Sequence, residues 1–332
     1  MPVLALKLLF SSTISFLITF YFVPLLCTIA QKFGVVDVPD GLIKVHESSI
    51  PYLGGVAVYT GFISGLALVF PLENSIFSLL VGSTLLLFIG LIDDLVVLKP
   101  YQKFFGQVVA AICFIKGGLY LKEQFFHDHL IIALPISLLW ILTITNAMNL
   151  VDVMDGLATT IAFTASCSLF VIATLFHQEN VMLLLSSFMG PLLAFLWYNK
   201  PPATIYLGDA GSLFIGGFLA SLPFLFSWST YNSYGFLAPV IILGVPLCEV
   251  GLLILIRTYK GIPFYKGSPD HFSIYLRSRR GWSKFQVLCF VALASIVLLG
   301  VALLVTFNKI SLTSLIFIGT IYLVMWLIVL FK

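Results

Sequence analysis

Charge is what this sequence has least of. Only 9% of its 332 residues are Asp, Glu, Lys or Arg, against about 25% in soluble domains, which excludes a water-soluble globular chain. Cys27, Cys113, Cys167, Cys248 and Cys289 are far apart and never form a CxxC pair. That spacing argues against a zinc site or a disulfide framework and predicts buried free thiols acting as small hydrophobes. A net charge of +3 is too small to carry nucleic-acid binding. The apolar runs lack period-2 alternation, so a membrane barrel is excluded. Solenoid repeats, low-complexity tracts and a soluble domain are also missing.

What is present is apolar sequence, at 60% of residues and a mean hydropathy of +1.11. About 20 apolar residues cross a bilayer as a helix. That rule gives eleven candidate spans, near 3–25, 52–71, 76–92, 105–121, 130–148, 157–176, 182–198, 211–227, 236–256, 285–306 and 310–330. The fourth and eighth are short and contain glycine. The expectation is one all-α, polytopic helix bundle spanning residues 1–332, of about eleven transmembrane helices (ten if one fails). Lys7 precedes the first run without a small-residue cleavage site, which reads as a retained span.

The connections alternate in character. Thirteen of the seventeen Lys and Arg residues, counting Lys332, fall on the side of 26–51, 93–104, 149–156, 199–210 and 257–284. The positive-inside rule makes that side cytoplasmic and puts the N-terminus outside. Nine of the fourteen acids lie there as well. Orientation alone does not require both signs of charge on one face, so a site is expected there.

Its polar stretches each have a plain alternative. In "GLIDDL", Asp93 and Asp94 end a hydrophobic run. Helix neighbours diverge by about 100°, so at most one should enter a given site. Lys103 follows closely enough to neutralise one of them or to reach a phosphate. In "NAMNLVDVMDGLA", Asn149, Asp152 and Asp155 would share one face if the segment is helical. Asp155 alone would merely cap the next helix. In "YLGDAGSLFIGG", Asp209 lies between two glycines, and a hard cation such as Mg²⁺ suits such a carboxylate beside substrate phosphates. The plainer reading there is a glycine turn with a helix cap.

Lys44 and His46 could meet phosphate oxygens or simply decorate a cytoplasmic loop. In the basic loop at 257–284, Pro269 and Gly281 predict a helix over 269–280 with Asp270, Ser273 and Arg277 on one face. His271 and Tyr275 would lie on the next. Arg279 and Arg280 suit anionic lipid heads. Glu249, inside the ninth span, reads as a hydrogen-bonding group of the bundle interior. His127 and His129 read as solvated.

Taken in order, "KVHESSIPYLGG", "GLIDDL", "PYQKFFGQ", "NAMNLVDVMDGLA", "LGDAGSL" and the His-containing basic loop resemble the polyprenyl-phosphate N-acetylhexosamine-1-phosphate transferases. The resemblance covers residues 37 to about 284. It implies a bundle of ten or eleven helices, often a homodimer, in the inner cell membrane with a cytoplasmic cleft. It also implies Mg²⁺ or Mn²⁺, a UDP-N-acetylhexosamine donor and an undecaprenyl or other polyprenyl phosphate acceptor, with membrane lipid as surroundings. Asp93, Asp94, Asp209 and His271 would be catalytic, with Asp209 the metal ligand. Lys44, His46, Lys103, Asn149, Asp152, Asp155, Asp270 and Arg277 would bind substrate.

Two departures stand out. Val153 replaces a glycine common in that family, and His271 is the one histidine of a loop that often has several. The loop's Pro-Asp-His start is closer to the N-acetylglucosamine-1-phosphate branch, which starts surface polysaccharides. The phospho-N-acetylmuramoyl-pentapeptide branch of cell-wall synthesis is the alternative. An ion-coupled carrier would place its acids mid-span within repeated halves, which this sequence does not.

Overall fold

A computed structural model describes residues 2–37, 49–69, 74–123, 126, 128–263, 268–307 and 311–331. Among the described residues the chain forms thirteen α-helices, which are α1 (Pro2–Phe33), α2 (Gly54–Ala67), α3 (Asn74–Val96), α4 (Pro100–Lys116), α5 (Leu130–Val151), α6 (Leu157–Leu175), α7 (Glu179–Asn199), α8 (Gly208–Ser221), α9 (Ala238–Ile242), α10 (Gly244–Tyr259), α11 (Phe272–Arg280), α12 (Lys284–Thr306) and α13 (Leu312–Phe331). One two-stranded ribbon, β1 (Val36–Asp37) with β2 (Ile50–Pro51), is antiparallel, with Val36 opposite Pro51. The all-α expectation holds apart from this ribbon.

Among the described residues seven helices are long and apolar enough to cross a membrane, or eight if α9 and α10, bent by 69°, form one broken span. The protein is a multi-pass membrane protein. Its spans pack through small residues where helices come closest. Ser11 and Ser186 hydrogen-bond at 2.7 Å between α1 and α7, and Gly61 of α2 leaves room for Thr19.

The eighth run, short and glycine-containing, is the innermost element. Every residue from Ala210 to Ser221 is buried, as expected of a helix apolar on all sides. The rings of Phe62, Phe188, Phe214 and Phe218 fill its contact with α2 and α7, the closest pair 4.2 Å apart. Glycine sets how near its neighbours stand. A Cβ on Gly55 of α2 would lie 2.1 Å from the Gly211 nitrogen, and one on Gly90 of α3 would lie 2.2 Å from the Asp209 carbonyl oxygen. Backbone therefore meets backbone on both sides of the start of α8.

Three expectations need correction. The cysteines are free but not fully buried: Cys27, Cys113, Cys167 and Cys248 are partly covered, Cys27 and Cys248 by the edge of the core, and Cys289 is exposed. α5 stops at Val151, so Asn149, Asp152 and Asp155 do not share a helical face; Gly156, at φ 74°, turns the chain into α6. α11 starts at Phe272 rather than 269, with His271 extended before it and Gly281 ending it at φ 66°. Asp270 therefore lies outside the helix, and Ser273 is buried while Arg277 is exposed.

Candidate active site

The start of α8 organises the site. A helix leaves its first N–H groups without intrahelical partners. Here Asp94, on the last turn of α3, supplies two acceptors, its Oδ1 to the Asp209 N–H at 2.9 Å and its Oδ2 to the Ala210 N–H at 3.0 Å. This is an N-cap delivered by a different helix, with a negative charge at the positive end of the helix dipole.

Asp93 turns to the other side. Its Oδ1 accepts from the Leu98 N–H at 2.6 Å, and its Oδ2 faces Lys103 Nζ at 2.8 Å. Lys103, on the first turn of α4, also meets Asp209 Oδ2 at 2.5 Å. Asn149, near the end of α5, donates to Asp209 Oδ1 at 2.6 Å and to Ser212 Oγ at 2.9 Å. A Gln107–Asn146 pair, at 2.7 Å for the shorter bond, ties α4 to α5 one turn away. Both adjacent aspartates thus serve one site, against the expectation from their divergence. One holds the backbone of α8 and the other holds the lysine beside it.

Asp152 is half-buried, and no described residue hydrogen-bonds its carboxyl. Burial, then the negative charges of Asp209, Asp94 and Asp155, push that carboxyl well above the usual range. Asp155 does not cap α6. Its Oδ2 accepts from Lys284 Nζ at 2.7 Å and from the Ala203 N–H at 3.2 Å, tying the α5–α6 turn to α12.

Sequence reasoning missed Asp37, Tyr52 and Tyr206. Tyr52 donates its hydroxyl to Asp37 Oδ1 at 2.7 Å, and its ring lies 6.4 Å from that of Tyr206. Burial and the nearby acids Asp155, Asp37 and Asp152 push the Tyr206 phenol up to about 12, so it stays protonated. The signal was weak because residues 206–207 reach the site by pairing with the entry to α2, Tyr206 N–H to Pro51 O at 2.8 Å and Gly55 N–H to Leu207 O at 2.8 Å.

A second polar network surrounds α10 and the start of α11. Glu249, fully buried, faces His271 Nδ1 at 2.7 Å and accepts from the Phe272 N–H at 3.3 Å. Asp270 meets Lys260 Nζ at 2.5 Å and Tyr275 Oη at 3.2 Å. Burial alone would raise the Asp270 carboxyl, but hydrogen bonds from Lys260, Ser268 and Tyr275 outweigh it and hold the group below its usual range. Arg277 is exposed on the last turns of α11. Lys44, His46 and His127 lie outside the described residues, and His129 is exposed.

Among the described residues no three His, Cys, Asp or Glu side chains form a ready-made ion cage. The donors at Asp209 fit a hard divalent cation all the same, since Mg²⁺ takes one or two carboxylates and completes its shell with water and phosphate. The Asp93 and Asp209 carboxylates already share one cation, the Lys103 ammonium.

The model of glycosyl transferase family 4 matches residues 76–227. A "probable undecaprenyl-phosphate N-acetylglucosaminyl 1-phosphate transferase" of Bacillus subtilis is 32% identical over 273 residues, covering 80% of this chain and 75% of the relative. The chain belongs to glycosyl transferase family 4. Two further relatives of this family 4 chain are phospho-N-acetylmuramoyl-pentapeptide-transferases. That of Bacillus mycoides is 30% identical over 311 residues (84% of this chain, 92% of the relative). That of Listeria welshimeri is 29% identical over 309 residues (82% and 90%). The family 4 match contains Asp93, Asp94, Lys103, Asn149, Asp152, Asp155 and Asp209, and ends before Glu249 and His271.

Proposed function

We propose that the protein transfers N-acetylhexosamine 1-phosphate, of which N-acetylglucosamine 1-phosphate is the favoured case, from a UDP-sugar to undecaprenyl or another polyprenyl phosphate. A lipid-phosphate oxygen attacks the sugar-proximal phosphorus of the pyrophosphate. The bond from that phosphorus to the UMP oxygen breaks, and UMP leaves with the electron pair. The products are polyprenyl-diphospho-N-acetylhexosamine, the start of a lipid-linked surface polysaccharide, and UMP.

The observation that carries this reading is a surplus of negative charge. Among the described residues the Asp93 and Asp209 carboxylates share one ammonium, that of Lys103, and the Asp94 and Asp152 carboxyls lie near enough for their charges to oppose those of this pair. Two phosphorylated substrates would add more. Such a centre suits phosphoryl transfer when a divalent cation accompanies the substrates. Asp209, with Asp93 beside it, would hold Mg²⁺ (or Mn²⁺), which supplies Lewis-acid neutralisation of pyrophosphate charge when bound.

The remaining residues have positional tasks. Lys103 is within reach of a phosphate placed at Asp209. Asn149 orients the Asp209 carboxylate, and Asp152, with Asp155 behind it, faces the nucleotide-sugar side. Lys44, His46, Asp270, His271 and Arg277 complete substrate binding from the loops. Asp93 and Asp94 act by placement. Both oxygens of Asp94 accept backbone N–H groups, and a phosphate monoester with a second pKa near ~6 needs little help to lose its proton at neutral pH.

The same reading takes all eleven apolar runs as spans in the inner cell membrane, the site on the cytoplasmic face, and a homodimer as the assembly. The similarity to phospho-N-acetylmuramoyl-pentapeptide-transferases over up to 92% of their length favours the peptidoglycan reaction as the second reading.

UMP release decides between them. The purified protein in detergent would be given undecaprenyl phosphate, Mg²⁺ and a panel of UDP-sugars. Release that needs both lipid and metal, with UDP-N-acetylglucosamine as best donor, supports the proposal. UDP-N-acetylmuramoyl-pentapeptide as best donor moves the protein to cell-wall synthesis. No release by folded protein overturns both.

A further inference from the structure

Glu249 is the one acid placed well inside an apolar run, and the structure leaves it 0% exposed. Burying a carboxylate costs several kcal/mol unless its lone pairs are engaged. Both oxygens of Glu249 are engaged, and both partners stand at a single point of the chain. Oε1 faces His271 Nδ1 at 2.7 Å, and Oε2 accepts from the Phe272 N–H at 3.3 Å. Phe272 is the first residue of α11 and is itself fully buried, its ring 5.0 Å from that of Trp326 on α13.

A carboxylate has no proton to donate, so the imidazole must present Nδ1–H to it. That fixes the ring's orientation and leaves Nε2 as the nitrogen that can meet anything else. The same carboxylate holds the first N–H of α11, so ring and helix are set together. The family resemblance includes His271 but assigns no role to Glu249, which lies beyond the family model's match at residues 76–227.

We infer that Glu249 is the positioning residue for His271: it holds the imidazole in the Nδ1–H form and presents Nε2 to a substrate phosphate oxygen. The inference rests on the transferase reading only for the identity of that phosphate; the pair itself stands on geometry. The need for a charged, buried acceptor in place of a neutral amide is explained by the two donors. A glutamine has one acceptor oxygen and one donor nitrogen at this position; with its oxygen on the Phe272 N–H its amide nitrogen would face Nδ1 as a donor, so it cannot hold the ring in the Nδ1–H form.

The test uses full-length protein labelled with ¹⁵N-histidine, with the His271→Ala variant identifying the His271 ring signals. In the wild type, Nδ1 should appear protonated and hydrogen-bonded. Glu249→Gln should change those ring signals and lower kcat by about 10–100-fold, leaving the KM for the UDP-sugar near the wild-type value. In the His271→Ala background, Glu249→Gln should cost nothing further. Ring signals unchanged by Glu249→Gln, or losses that multiply in the double variant, would overturn the inference. If Glu249→Gln does not fold, Glu249→Asp decides by the same ring signals. Absence of UMP release from the wild type would remove the transferase reading while the ring signals still report on the pair.

Discussion

The two polar networks of this protein are built on opposite plans. The Asp209 centre draws one or two residues from each of α3, α4, α5 and α8, and its cap bridges positions 115 apart in the chain. The Glu249–Asp270 network draws on α10, the loop after it and the start of α11, with partners 10 and 22 positions apart. A centre made of four helix ends holds its shape only while the bundle holds its packing. The division matches the family relationship, since the first lies within residues 76–227 and the second lies outside them.

The largest expected effect breaks the first network at its centre. Asp209→Asn removes charge from the site of the proposed cation and should lower UMP release by about 10²–10³-fold, with the folded fraction unchanged by size-exclusion chromatography. Asp94→Asn is next. A carboxamide offers one acceptor to two N–H groups, so stability should fall by about 1–2 kcal/mol in chemical unfolding. Its activity loss should be the same from pH 6 to pH 9, because Asp94 places α8 and does not carry the lipid phosphate's proton. Recovery of activity at pH 9 would instead assign it a base role.

Lys103→Met leaves the Asp93 and Asp209 carboxylates without their shared cation. Thermal unfolding should show a loss of about 1.5–3 kcal/mol, reduced by added Mg²⁺; equal losses with and without the ion would separate the lysine from the cation site.

The smallest effect belongs to the second network. The Asp270 carboxyl titrates below its unfolded value, so its stabilising contribution is present above about pH 4 and is lost as pH falls through the lower, folded value. Lys260→Met should move that titration upward, read by ¹³C NMR of the Asp270 carboxyl. Activity at neutral pH should stay within a few-fold of wild type, because the Lys260 side chain is 44% exposed.

Much of this was legible in the sequence. Apolar run length located the helices, and polar residues of the connections 93–104, 149–156 and 199–210 do come together. What could not be read were the partners. Asp93 and Asp94 look equivalent in "GLIDDL", and only the position of α8 beside α3 gives one the backbone and the other a lysine. Asn149, Asp152 and Asp155 have the spacing of a helical face, yet Gly156 and the stop at Val151 direct Asp155 toward Lys284. Glu249 was recognised as a bundle-interior hydrogen bonder, but not its partner, because His271 is delivered by a loop whose length says nothing about where it folds back. Tyr206 carried no motif of its own.

The glycines at the start of α8 have a further consequence, best put as a matter of tolerances. Gly55 and Gly90 act as two bare reference faces against which the backbone at residues 209–211 is seated. With no side chain in either joint, there is no rotamer to vary and no slack to accumulate between one molecule and the next. The position of the Asp209 carboxylate is then fixed by three main chains in direct contact. Such a joint has no adjustable part, so even one added methyl group would be passed on as displacement of the site itself.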